Sequence, residues 1–229
     1  MTVSTENFVK TVYRQNTIYG ADTRLSTIAG LLNISSAAAT DMARKLAVKN
    51  LVSYTKYKPL VLTREGNQLA LNVLRKHRLW ETFLFKTLNL SLHEIHREAE
   101  ILEHLTSDFL ADRIDDYLGN PATDPHGDPI PSNNGKEKRA DSLLPLSEAR
   151  AGSIYEISRL YGSDKDFFDF CASSNIKIGS RIRVVKQYEK GRMTEIEVRR
   201  RKILLNMEFA GIIFVKTGGR NFKDGTIIF

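Results

Sequence analysis

The stretch RLSTIAGLLNISSAAATDMARKLAVKNLV, residues 24–52, breaks at Asn33 into two helical segments. The first carries Ile28, Ala29 and Leu32 at helical spacing, and the second runs from about Ser35 to Lys49 after a tight turn. This is the spacing of a helix-turn-helix. Met42, Leu46 and Val48 are placed to face a core. Ser35, Ser36, Ala37, Ala38 and Ala39 make a narrow helix start that fits a major groove and offers backbone N–H groups to phosphate. Candidate DNA contacts on this helix are Ser35, Ser36, Ala38, Thr40, Arg44 and Lys45. Directly after it, strand-like LVSYTKYKPLVLT (51–63) supplies Lys56 and Lys58, with Tyr54 and Tyr57, as a basic, aromatic wing. Residues 1–63 thus read as a winged helix-turn-helix for double-stranded DNA.

Upstream, Phe8, Val9, Val12 and Tyr13 define an amphipathic first helix over about residues 4–18, with Asn7 and Lys10 off its buried face. Downstream, Thr63 is placed to cap a long helix carrying Leu69, Val73, Leu74, Leu79, Phe83 and Leu84 on more than one face. A further helix over about 92–117 carries Ile95, Ala99, Leu102, Leu105, Phe109 and Leu110. So much apolar surface calls for a partner, and a symmetric homodimer would present two recognition helices to two half-sites.

Within HEIHREAEILEH (93–104), His96, Glu100, Glu103 and His104 fall at i, i+4, i+7 and i+8, on one stripe of a helix. His77 and Glu81 form another i, i+4 pair on the preceding helix. Mixed imidazole and carboxylate donors suit a first-row divalent ion such as Mn, Fe or Zn, whereas a solvated charged face is the plain structural alternative. The string HEIH does not match the HExxH hydrolase motif, because His93 and His96 are three apart, not four. With no nucleophile or oxyanion donors evident, an enzyme is not expected.

The 229 residues are 41% hydrophobic and carry a formal charge of +7, enough for a packed core and favourable to a polyanionic partner. One cysteine, Cys171, excludes an internal disulfide and reads as a small buried hydrophobe. The opening MTVSTENFVKTVYRQ lacks the apolar core of a secretory signal, and no apolar run approaches bilayer length, so cytoplasmic residence without membrane attachment is expected. Four of the six prolines lie in PATDPHGDPIP, followed by polar SNNGKEKRADS. The boundary is therefore placed there: a helical domain over 64–120, a Pro-rich, polar linker over 121–144, and over 145–229 a small β-barrel or sandwich built from runs such as KIGSRIRVVKQYEKG, MTEIEVRRRKILLN and AGIIFVKTGG. The class is α+β. His93, at a helix start, and His126, in the proline-rich turn, read as structural.

The combination of a winged helix, RKHRLWETFL (75–84), HEIHREAEILEH and DPHGDPIP (124–131) resembles the metal-dependent regulators of the diphtheria toxin repressor type, especially their manganese-responsive branch. The resemblance covers nearly the whole chain. It implies a dimeric repressor with a helical metal-binding and dimerisation domain and a C-terminal SH3-like (FeoA-like) domain. Operator binding near metal-uptake genes would then depend on Mn(II), or on Fe(II). It further implies two neighbouring metal sites: His77, Glu81 and His96, completed by Asp164 from the SH3-like domain with Asp166 as the weaker alternative, and Glu100, Glu103 and His104, completed from the first helix at Asn7. Asn7 departs from the pattern, since manganese-type relatives resemble Asp there, and its neutral carbonyl lowers the site's charge by one. Adjacent Glu6 points elsewhere on the expected helix. Glu100 stands where iron-responsive relatives carry sulfur, which favours the harder Mn(II). The alternative is a winged-helix transcriptional regulator that needs no metal.

Overall fold

The structure, a computed structural model, describes residues 1–18, 20–133, 143–162 and 164–217. It forms two compact units, one built on Met1–Asp124 and the segment from Pro129, the other on Pro125–Asp128 and the chain beyond residue 142. Most of SNNGKEKRADS and the terminal GGRNFKDGTIIF lie outside the described residues.

In the first unit, helix α1 (Val3–Tyr13) starts where the Thr2 hydroxyl accepts from Thr5 N, and it runs on into a wider π-type turn over Arg14–Ile18. Helices α2 (Leu25–Leu31) and α3 (Ser36–Val48) meet at Asn33, which adopts φ 51°. Ser35 caps α3 by accepting from Ala38 N. Strands β1 (Val52–Ser53) and β2 (Val61–Leu62) pair antiparallel and hold up the wing. Phe8, Val9, Val12, Ile28, Ala43, Leu46, Leu51, Val52, Leu60, Leu62, Ala70 and Leu74 share one core, so α1 and the start of the next helix belong to the same packing as the DNA-binding elements. Val48 departs from expectation: at 89% exposure it faces solvent rather than the core.

Helix α4 (Arg64–Leu88) begins at Thr63, whose hydroxyl accepts from Gly66 N. Gly66 is required by close approach, because a Cβ there would lie 1.9 Å from the Leu51 carbonyl oxygen. Helix α5 (Leu92–Leu105) opens with a capping box between Ser91 and Glu94. The single helix expected over 92–117 is in fact two. Thr106 is extended, and Ser107 caps α6 (Asp108–Tyr117) by accepting from Leu110 N, so the apolar periodicity continues across a break in the backbone. Arg75, 4% exposed, pairs with Asp112 and Asp115 and pins α6 to α4. Phe85, Leu88, Ile101, Leu105, Phe109 and Tyr117 remain exposed on these helices.

The proline-rich segment expected to act as linker is packed at its start. Arg78 Nη1 donates to the Pro129 carbonyl, Ile130 N donates to Ala122 O, and Asp124 and Ile130 are buried.

The second unit is a six-stranded antiparallel sheet made of β3 (Leu144–Pro145), β4 (Ile154–Leu160), β5 (Arg181–Tyr188), β6 (Met193–Val198), β7 (Arg201–Asn206) and β8 (Ile213–Thr217), in the order β3-β8-β4-β5-β6-β7. Two helices accompany it, α7 (Lys165–Ser173) and α8 (Met207–Ile212). Register shifts at Ile157/Arg159 and Val184/Lys186 are bulges that bend the sheet over its core. Alternate residues Tyr155 and Ile157, Ile182 and Val184, Ile196 and Val198 point into that core. Cys171 is buried there, and burial pushes its thiol up to about 12. His126 is also buried, its ring 5.1 Å from that of Phe168.

Candidate metal centre

Helices α4 and α5 lie side by side and bring the i, i+4 pair of α4 up to the His/Glu stripe of α5. His77 Nε2 lies 3.0 Å from Glu81 Oε1 and 3.3 Å from His96 Nδ1, and that His96 nitrogen is 3.0 Å from the same Glu81 oxygen. Three donor atoms thus form a triangle with edges near 3 Å. Ligands at about 2.1 Å from an octahedral ion are separated by √2 times that distance, about 3 Å, so the triangle matches one face of such a coordination shell. The residues therefore fit a divalent first-row ion on geometry as well as on donor type.

His77 is held from behind. Its Nδ1 lies 2.7 Å from Glu103 Oε2, and a proton donated there leaves the Nε2 lone pair aimed at the triangle. His77, Glu81 and Glu103 are all nearly inaccessible, at 5%, 2% and 1% exposure. Burial pulls the His77 imidazolium down, but Glu81 and then Glu103 outweigh it and raise it from 6.5 to about 9. Burial likewise opposes the Glu100 carboxylate, yet Lys10 and His77 hold it down at about 2.

The second expected group is arranged differently from the sequence reading. Glu100 and Glu103 converge with His77, and of the two it is Glu103 that also reaches His104. His104 instead faces α1: its Nδ1 lies 2.5 Å from Glu6 Oε2 and its Nε2 lies 3.0 Å from Asn7 Oδ1 and 3.2 Å from Glu103 Oε1. Glu6, expected to point away, is therefore a direct neighbour of His104. Lys10, expected off the buried face, is 4% exposed, with Nζ 2.6 Å from Glu103 Oε1 and 2.9 Å from Glu100 Oε1. Sequence spacing could not show this, because the partners are 90 and 93 positions away. Asp164 lies in the second unit, where its exposed carboxylate caps α7 by accepting from Asp166 N.

On the DNA-binding side, Ser35, Ser36, Ala38, Arg44 and Lys45 are exposed along α3, and Thr40, half-buried, donates to Ser36 O. Lys45 pairs with Asp41 at 2.7 Å, both well solvated. Lys56 and Lys58 are exposed on the wing, and Lys56 Nζ stacks 4.8 Å over the Tyr57 ring.

A winged helix whose first helix is ionically tied to a buried His/Glu cluster defines a DNA-binding protein with a built-in cation centre. Comparison with known proteins gives this class its family. The chain belongs to the diphtheria toxin repressor family of metal-dependent transcriptional repressors: residues 1–60 match the iron dependent repressor N-terminal DNA binding domain, 63–132 its metal binding and dimerisation domain, and 144–217 the FeoA domain, which is SH3-like. It is 28% identical over 199 residues to the diphtheria toxin repressor of Corynebacterium efficiens, covering 83% of this chain and 85% of that one. It is 33% identical over 156 residues to the iron-dependent repressor IdeR of Mycobacterium bovis, covering 66% and 67%. A solved structure of a manganese-dependent transcriptional repressor in complex with manganese superposes with a TM-score of 0.87 at 31% identity, covering 93% of this chain and 99% of that one. Among the described residues, no helix is long and apolar enough to cross a membrane.

Proposed function

We propose that this protein is a metal-activated repressor that binds operator DNA as a homodimer when Mn(II), or alternatively Fe(II), occupies its helical domain, and that it controls genes of metal uptake. The observation that carries this reading is a continuous relay of buried contacts. His77 Nε2 belongs to the donor triangle with Glu81 and His96, His77 Nδ1 meets Glu103, and Glu103 meets Lys10 on α1. Helix α1 shares its core with α2, α3 and the wing, so a change at the triangle is felt by the DNA-binding elements. A bound divalent ion would neutralise the Glu81 carboxylate and fix α4 against α5.

His77, Glu81 and His96 are the proposed ligands of the first site. Glu100, Glu103, His104 and Asn7 form the cluster that faces α1, and Glu103 also orients His77. The contacts to DNA come from Ser35, Ser36, Ala38, Thr40, Arg44, Lys45, Lys56 and Lys58, with α3 in the major groove and the wing alongside. Exposed Phe85, Leu88, Ile101, Leu105, Phe109 and Tyr117 supply the apolar surface for the dimer. The protein acts in the cytoplasm and catalyses no reaction. Metal shifts the DNA-binding equilibrium only through its preference for the competent state, and a hundredfold preference corresponds to about 2.7 kcal/mol. Replacing His77 or Glu81 by alanine is expected to abolish metal-stimulated DNA binding in a fluorescence titration while the fold persists by circular dichroism. Undiminished stimulation in both variants would refute the ligand assignment.

A further inference from the structure

The cluster facing α1 already contains a cation. Lys10 Nζ sits between Glu100 Oε1 at 2.9 Å and Glu103 Oε1 at 2.6 Å, with its side chain 5% exposed and that of Glu103 fully buried. The two carboxylate oxygens that a second metal ion would use are thus in contact with an ammonium group. The other donors are also engaged, since both nitrogens of His104 face oxygens of Glu6, Asn7 and Glu103. At the triangle the converging atoms are two imidazole nitrogens and one carboxylate oxygen.

We infer that Lys10 is a resident competitor cation of the Glu100–Glu103–His104 cluster, so that the two clusters of each protomer fill at well-separated metal concentrations. A divalent ion bound to Glu100 and Glu103 must either expel the lysine from a buried position or coexist with a like charge a few ångströms away, and both weaken its binding. The lysine meanwhile does part of the work expected of that ion, joining α1 to α5 through Glu100 and Glu103. Asn7 fits the same design, because a neutral amide adds no charge to a cluster whose two carboxylates are already paired with one cation. This inference rests on the assignment of the first metal site to His77, Glu81 and His96.

The test is an anaerobic Mn(II) titration of the full-length chain, followed by calorimetry and by electron paramagnetic resonance of free Mn(II). Anomalous scattering from crystals grown in Mn(II) locates each ion. The wild type is expected to take up one tight equivalent per protomer at the triangle, with any second equivalent at least about tenfold weaker. Lys10→Met, which removes the charge but keeps the chain length, is expected to tighten the second equivalent by about tenfold or more, and to narrow its separation from the first. Lys10→Arg is expected to preserve the wild-type separation. Two equal equivalents in the wild type would overturn the inference, and so would a second equivalent unchanged in Lys10→Met. If Lys10→Met does not fold, the wild-type titration decides. Absence of any bound Mn(II) would refute the first-site assignment itself, an outcome distinct from two equal sites.

Discussion

The first equivalent of metal should compete with a proton on His77, and the structure sets the size of the effect. Without metal the His77 imidazolium is stabilised by Glu81 and Glu103 against the opposing cost of burial, so it titrates at about 9 instead of 6.5. Coordination needs the Nε2 lone pair, and hence the neutral ring. At pH 7 the ring is two units below its titration point, so about one molecule in a hundred is ready to bind, and the apparent affinity lies about a hundredfold below its alkaline limit. Between pH 7 and 8.5 the affinity for the first Mn(II) is therefore expected to rise about tenfold per unit. Close to one proton is released from His77 per ion bound at pH 7. Calorimetry in two buffers of different ionisation enthalpy, repeated at pH 7.0, 7.75 and 8.5 under anaerobic conditions, reads both quantities. A pH-independent affinity with no proton release would refute the reasoning.

The same shift makes the stability of the metal-free protein pH-dependent. A group raised on folding contributes stability that is complete below pH 6.5 and is lost as pH rises through about 9, so the midpoint of thermal unfolding without metal should fall across that window. Glu103→Gln removes the carboxylate behind His77, and its effect on first-site metal affinity, once corrected for the proton competition that Glu103 also promotes, is expected to be a loss of about 10–100-fold, measured by competition with a chelating dye. Gly66→Ala drives a methyl group into the Leu51 carbonyl, at a cost of about 1–3 kcal/mol in denaturant unfolding, whereas Gly30, with open space around it, tolerates the same change far better. Arg44→Ala is expected to weaken DNA binding across sequences and to reduce the slope of log affinity against log salt by about one.

Much of this architecture was legible in short-range pattern. The break at Asn33, the Ser35 cap and the apolar spacing of α3 and α4 are local features, and they form the elements that their residues favour. Of the donor triangle, spacing showed His77 and Glu81 on one face of α4 and His96 on a stripe of α5, but it was the family resemblance, not the spacing, that grouped the three. The division of α5 from α6 was hidden, since hydrophobic periodicity carries across Thr106 and Ser107 and only the cap marks the stop. Lys10 was hidden for a different reason. Its place on the helix predicts solvent exposure, and it is buried because two carboxylates from a distant helix compensate its charge. Packing of the DPHGDPIP segment likewise depends on Arg78, 46 or more positions upstream, which a composition-based reading as linker cannot reveal.

We propose a thermodynamic linkage between divalent metal binding and DNA binding in this protein. Its most direct test is the affinity of the full-length chain for operator DNA, recovered by selection from random sequence with the Mn(II)-loaded protein, measured by fluorescence anisotropy at fixed salt with buffered Mn(II) and again in excess chelator. The linkage predicts binding at least about tenfold tighter with Mn(II), reversed on chelation. Equally tight binding that persists in excess chelator would contradict it.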